Sequence, residues 1–370
     1  MDDRSAPSVT PPVDPRWVQL GEQIVQWSTG VQSGDRVLIS ADGSASLALA
    51  GLIHMEVVRA GGHPQVIFSS DDFESDLLRH GSMTQAAWTP GIERLAMRWA
   101  DVAIVLRGGD VVHTDGAIPA AHAAARRAAL GRISAARTAR TRWVIVRVPT
   151  AGVAHHAGRS LQDLTEAFFA ASLRDWSHEG DVARQLTSAL GGSHEVHVRA
   201  HETDLRMSIA GRTWLVEDGH INVPGGEIAT SPLEDSAEGE ILFEHPAIFA
   251  GHVFEGIRLA FRHGRVVRAH ADRNGALLQE LLRIDAGARR IGEVGFGMNQ
   301  GMRGLCGDLL YDEKVSGTFH LALGRSYAVC GGRNASALHW DIVKDFRGSG
   351  TVSIDGRIVL GAGGLLASPT

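Results

Sequence analysis

Between residues 36 and 148 the chain alternates short apolar runs suited to strands with longer runs suited to helices, an order that few folds accept. RVLISA (36–41) reads as a buried strand, and ASLALAGLIHMEVVRAGG as a helix stopped by Gly61-Gly62. QVIFSS, DVAIVLRG and RWVIVRVP read as further strands, with TPGIERLAMRWA and an Ala/Arg-rich stretch over about 117–138 as helices between them. Strands apolar on both faces need cover on both sides, so this half is expected to form a parallel sheet flanked by helices. Helical texture continues through LQDLTEAFFAASLRD to about residue 190.

From about residue 193 the pattern changes. HEVHVRA, DLRMSIAG, RTWLVED, GEILFEH, GHVFEGIRLAF and RVVRAHA are short alternating segments parted by Gly or Asp, the signature of antiparallel strands. NGALLQELLRID is the one helix expected among them. A chain of 370 residues exceeds a single typical domain. The expected organisation is a disordered tail over 1–14, an α/β domain over 15–190, and a mostly antiparallel, β-rich catalytic domain over 191–370.

Several function classes find no support. The formal net charge is −6 and the arginines are scattered, so nucleic acid is not an expected partner. No run approaches the ~20 apolar residues that span a bilayer. The acidic, Pro-rich start MDDRSAPSVTPPVDPRW is unlike an export signal, and a cytoplasmic location is expected. Cys306 and Cys330 lack C-x-x-C spacing and read as buried free thiols. After the first strand comes Asp42-Gly43-Ser44, not a dinucleotide fingerprint, and the only lysines, Lys314 and Lys344, sit in no phosphate loop. Neither G-x-S-x-G nor H-E-x-x-H occurs.

Metal-ligating residue types gather in the C-terminal third: His320 in GTFHLALG, then His339 and Asp341 in ALHWDIV. In an extended strand residues two apart share a face, so His339 and Asp341 can reach one ion while Trp340 turns into packing. By the same period Thr318, His320 and Ala322 share one face and Phe319, Leu321 and Leu323 the other. Ile291, Glu293 and Gly295 are likewise expected on one face. Glu227 follows the loop Pro224-Gly225-Gly226, where backbone can come close to an ion. Imidazoles with carboxylates suit one or two divalent metals.

GEIATSPLEDSAEG, IGEVGFG, DEKVSGTFHLALG and GGRNASALHWD resemble the M29 metallopeptidases, the aminopeptidase T group, and the likeness runs more loosely into the N-terminal half. The resemblance implies a ligand set in the order Glu227, Glu293, His320, Tyr327, His339 and Asp341, holding two ions (Zn, Co or Mn) that activate water for attack on an amide. Glu227 and Asp341 are the expected shared carboxylates, and Tyr327 and Glu293 the candidate catalytic residues, Tyr327 as a ligand or as an oxyanion donor. It further implies removal of N-terminal amino acids, or cleavage of related small amides, by a homodimer. His113, beyond DVAIVLRG, and Lys314 are secondary candidates for substrate contact; a solvent-exposed loop is the alternative reading for both.

A second chemistry stays open. The 2,5-dihydroxypyridine dioxygenases look like relatives of M29 but hold a single Fe(II) on His, His and Asp. They place a histidine where this chain has Glu293, and lack a counterpart of His320. Glu293 and His320 together therefore favour a two-metal hydrolytic site, although His320, His339 and Asp341 alone make a facial triad.

Overall fold

Strand β1 (Arg36–Asp42) lies between β2 (His63–Ser69) and β3 (Val102–Arg107), and β4 (Arg142–Arg147) extends the sheet beyond β3, every pairing parallel. The computed structural model describes residues 14–110, 118–249 and 251–365; the expected tail up to residue 13, and His113, lie outside them. Val37, Ile39, Ala41, Ile104, Val144 and Val146 share one apolar core, as strands covered on both faces require. Helices Leu47–Arg59, Gly91–Trp99 and Ala120–Arg140 follow the expected alternation. A further helix, Asp71–His80, lies between β2 and the Gly91–Trp99 helix where the sequence reading has none, but it carries end signals. Ser70 caps its first turn, where Asp71, Asp72 and Glu74 oppose the helix dipole, and Arg79 and His80 close it. Because β1 connects to β2 on one side and the chain then crosses to β3 on the other, the carboxyl ends of β1 and β3 open a crevice.

The second half is antiparallel, as expected. β5 (Leu215–Glu217), β7 (Glu227–Thr230), β8 (Ile291–Gly297), β9 (Thr318–Gly324) and β10 (His339–Asp345) form one sheet in the order β10-β9-β8-β7-β5. Between β5 and β7 the chain returns to the first half, where β6 (Asn222–Val223) pairs parallel with β4. An eight-stranded antiparallel sheet, built mainly from residues 195–270 and 351–365, packs on one face of the β7–β10 sheet. Ile228, Val294, Phe296, Phe319, Leu321, Leu323, Trp340 and Ile342 supply that apolar face, and Trp340 stacks on Phe249 with ring centroids 4.8 Å apart. The opposite face is left for polar residues.

The two halves share apolar and polar contacts. Val223, Met302, Cys306, Tyr311 and Val315 enter the core around the parallel sheet. Arg147, at the end of β4, is buried against Asp308 (Nε to Oδ2 2.6 Å), and the Tyr311 hydroxyl donates to the Arg147 carbonyl at 2.7 Å. The carboxyl ends of the parallel strands therefore face the polar side of the β7–β10 sheet.

Candidate metal centre

Sheet register brings the expected ligands together. His320 pairs with Gly295 and Val343, while Ala322 pairs with Glu293 on one side and Asp341 on the other. Trp340 and Leu323, one step along, face the apolar core. One local expectation is corrected here. Ile291 and Glu293 do not share a face, because a β-bulge at Gly292 sets Ile291 against Leu323 in the core and Glu293 against Ala322. A side chain at 292 would meet the Arg325 and Gly324 carbonyls at 2.4 and 2.5 Å, so the bulge needs glycine. An isolated glycine inside a strand pattern was the available signal.

Glu227 is placed by a residue that sequence reasoning missed. Buried Glu217 accepts from the backbone N–H groups of Gly219, Ile221 and Asn222 on Oε1 (2.9–3.0 Å) and of Gly226 on Oε2 (2.8 Å). That knots the loop leading into β7 and aims Glu227 at the centre. Lys314 was expected either on a surface loop or reaching toward an anionic substrate group. It is instead fully buried, with Nζ 2.6 Å from Glu227 Oε1 and 2.8 Å from Glu313 Oε1. Its charge is matched by these carboxylates.

The donors converge in two groups. Glu227, Glu293 and His320 offer atoms within 4.8 Å of one another, and so do Glu293, His339 and Asp341. From sequence Glu227 and Asp341 are the expected shared carboxylates; Glu293 is the residue common to both groups. His320 Nε2 lies 3.5 Å from Glu227 Oε2 and 3.7 Å from Glu293 Oε1, and His339 Nε2 lies 3.3 Å from Glu293 Oε2 and 3.6 Å from Asp341 Oδ2. Tyr327 Oη is 3.4 Å from His339 Nε2, and the Arg325 carbonyl accepts from His339 Nδ1 at 2.8 Å. That last bond turns Nε2 toward the carboxylates.

Within the cluster, burial penalises every charge and neighbours decide the outcome. Burial opposes the His320 cation, but Glu227 and Glu293 outweigh it and push the imidazole up to about 9. Burial also opposes the Glu293 anion, yet His320 and His339 hold it down to about 2. Burial raises Glu227 against the pull of Lys314 and His320. The Tyr327 phenol is pushed far up by burial, then by Glu293 and Asp341, and stays protonated.

These residues fit divalent metal. Glu227 Oε2 and both ring nitrogens of His320 are buried without a hydrogen-bond partner, an expensive arrangement for polar atoms. Metal–ligand bonds of about 2.0–2.2 Å set tetrahedral donors about 3.3–3.6 Å apart, close to the spacings among these atoms. Imidazole with carboxylate suits zinc, manganese, cobalt or iron.

The centre opens onto a cavity of about 620 Å³ between the two halves. Tyr327, His339 and Asp341 line it from one side, and Asp42, Asp71, Arg107, Asp110, Arg127 and Arg137 from the other, at the carboxyl ends of the parallel strands and on the Ala120–Arg140 helix. Glu227, Glu293 and His320 lie behind that wall.

A family described as thermophilic metalloprotease (M29) matches residues 14–358. Aminopeptidase AmpS of Bacillus subtilis is 28% identical over 225 residues, 52% of this chain and 54% of its own length. Aminopeptidase T of Thermus thermophilus is 28% identical over 215 residues, 50% of this chain and 52% of its own. In these alignments the chain spans about half the length of the curated relatives it matches. The solved structure of wild-type AmpT from Thermus thermophilus superposes over 94% of this chain and 96% of that one, with a TM-score of 0.76 and 22% identity. The 2,5-dihydroxypyridine dioxygenase of Pseudomonas putida shares the fold more distantly, with a TM-score of 0.58 and 15% identity over 96% of this chain and 99% of that one.

Proposed function

The chain belongs to the M29 metalloprotease family, and from that premise we propose that it is a two-metal aminopeptidase acting on short peptides or related amides. The observation that carries this reading is the pair of buried donor groups joined through Glu293. Glu227, His320 and Glu293 would hold one ion, and Glu293, His339 and Asp341 the other. Bound divalent ions polarise a carbonyl and make water nucleophilic at neutral pH.

The chain's own groups then have separable tasks. Tyr327, protonated and on the cavity wall, is placed to donate a hydrogen bond to the oxyanion that develops on an attacked carbonyl. Glu293, with one oxygen toward His320 and the other toward His339, suits ligation between the two groups. Lys314 neutralises part of the carboxylate excess, and the Arg325 carbonyl keeps the His339 ring in one orientation.

A homodimer in the cytoplasm belongs to the same proposal. Phe73, Trp88, Ile92 and Leu95 are exposed on neighbouring segments of the first half, apolar surface that a second copy can cover. Cys306 and Cys330 are both buried and unpaired, which suits a reducing compartment. No helix among the described residues is long and apolar enough to cross a membrane.

Metal analysis combined with two assays tests the activity. Two divalent ions per chain, with release of leucyl-anilide product that Glu293→Gln abolishes, is the expected result. One iron per chain, with oxygen uptake on dihydroxypyridines and no anilide cleavage, overturns it.

A further inference from the structure

Four guanidiniums come together at the cavity without carboxylate partners. Arg127 and Arg137 project from the Ala120–Arg140 helix, Arg107 ends β3, and Arg325 follows β9; all four line the cavity together with Tyr327, His339 and Asp341. Among the described residues none of the four takes part in an ion pair. Arg137 reaches only the Ser134 hydroxyl, at 3.1 Å, and the Nε atoms of Arg127 and Arg137 are buried with no hydrogen-bond partner. Three of the other acids lining the cavity are held by other cations. Asp308 pairs with Arg147 at 2.6 Å, Glu74 with Arg126 at 2.8 Å, and Glu313 with Lys314 at 2.8 Å. Arg147 draws down the raised Asp71 and Arg126 the raised Glu93, and Asp71 Oδ2 is buried without a hydrogen-bond partner.

Two aromatic rings hold the cluster in shape. The Arg127 guanidinium lies 4.8 Å from the Phe249 ring centroid and that of Arg137 lies 4.9 Å from the Trp143 centroid. Stacking occupies the face of a guanidinium and leaves its N–H edge free, the edge that grips a carboxylate as a fork. The arrangement is unfavourable by itself: burial first, then the neighbouring charges of Arg107 and Arg325, lower Arg127 and Arg137 to about 9. An anion removes that penalty. Asp341 is among the charges that Arg127 senses, and Tyr327 among those that Arg137 senses, so the guanidiniums lie close to the reacting centre.

We propose that Arg127 and Arg137, with Arg107 and Arg325 beside them, seat a carboxylate of the substrate, so that the preferred substrates carry a carboxylate on the residue just beyond the scissile amide. This rests on the aminopeptidase reading and narrows it to a substrate class. The carboxylate has two possible sources, the free C-terminus of a dipeptide or an acidic side chain at the second residue. A cavity of this size takes a small molecule whole and excludes a folded chain.

Peptide kinetics on the metal-loaded protein test it. Leu-Ala is compared with Leu-Ala-amide to probe the C-terminal carboxylate, and Leu-Asp-amide with Leu-Asn-amide to probe the side chain. At least a tenfold preference for the carboxylate in one pair is expected, falling to near one in Arg127→Gln and in the double variant Arg127→Gln/Arg137→Gln, mainly through KM. Thermal melts check that the variants fold. Equal cleavage within both pairs overturns the proposal and leaves the aminopeptidase reading intact, as does a preference that survives the double variant. If no peptide is cleaved, that reading fails, and calorimetry with the same uncleaved pairs decides the carboxylate seat. Tenfold tighter binding of the carboxylate member, lost in the double variant, upholds it; equal binding overturns it.

Discussion

Gly295 stands opposite His320 across the β8–β9 ladder, and a Cβ at 295 would lie 2.3 Å from His320 Nε2. The absent side chain is the space in which the imidazole sits. Gly295→Ala is therefore expected to displace the ring, costing about 1–3 kcal/mol of stability by overpacking and about 10–100-fold in metal affinity. Metal titration and a urea melt on the same variant check both.

Glu293 is the one residue common to both donor groups. On the proposed two-metal reading, Glu293→Gln should weaken both ions together, whereas Glu227→Gln and Asp341→Asn should each remove one. Metal-to-protein ratios after dialysis distinguish the patterns. Equal ratios in all three variants would show that the carboxylates do not divide the ions in this way.

Lys314 lies between Glu227 and Glu313, and Lys314→Met leaves two buried carboxylates facing each other. The expected loss is about 3–5 kcal/mol, typical of breaking a buried ion pair from one side. A lysine on a surface loop would lose within about 0.5 kcal/mol. Urea unfolding with and without added divalent ions measures the difference.

Asp71 gives a pH dependence with a defined sign. Burial, with Asp42 and Asp110 nearby, raises its carboxyl to about 6 from an ordinary 3.8. The folded state thus keeps the proton longer than the unfolded state, and this contribution to stability is lost as pH rises from near 3.8 through about 6. Asp71→Asn should match the wild type below that window and exceed it above, by roughly 1–2 kcal/mol after solvent screening. Denaturation curves on either side of the window test the prediction.

Arg147 and Asp308 join the two halves through a 2.6 Å contact that is almost fully buried. Asp308→Ala strands the guanidinium, and a loss of about 3–5 kcal/mol is expected. A matching fall in the proposed aminopeptidase activity at temperatures where the fold persists would show that the cavity walls have shifted.

Much of the centre is legible along the chain. The period-2 pattern of TFHLALG separates His320 from Phe319 and Leu321, and H-x-D sets His339 and Asp341 on one face with Trp340 turned inward, as the ladders and core show. Such patterns act over one or two residues, where backbone geometry alone decides which way a side chain points. The strand–helix alternation of the first half is local in the same sense. A compact family pattern also lies in the sequence, because the metal-ligating types recur in a set order.

Other features depend on contacts between distant segments. The bulge at Gly292 is set by the approach of the Arg325 carbonyl, and it reverses the face on which Glu293 would otherwise lie. Lys314, an ordinary loop lysine in sequence, becomes the partner of Glu227 only because β7 and the 309–314 turn meet. Arg127 and Arg137 look like two more arginines in an Ala/Arg helix until Arg107 and Arg325 arrive from other strands. The sequence determined which segments become strands and which faces of β9 and β10 carry ligands, because those depend on neighbours in the chain. Only the tertiary structure decided that Glu293 belongs to both donor groups, that Lys314 is buried and that four guanidiniums line the cavity with Tyr327, His339 and Asp341, because burial and charge pairing depend on groups brought together in space.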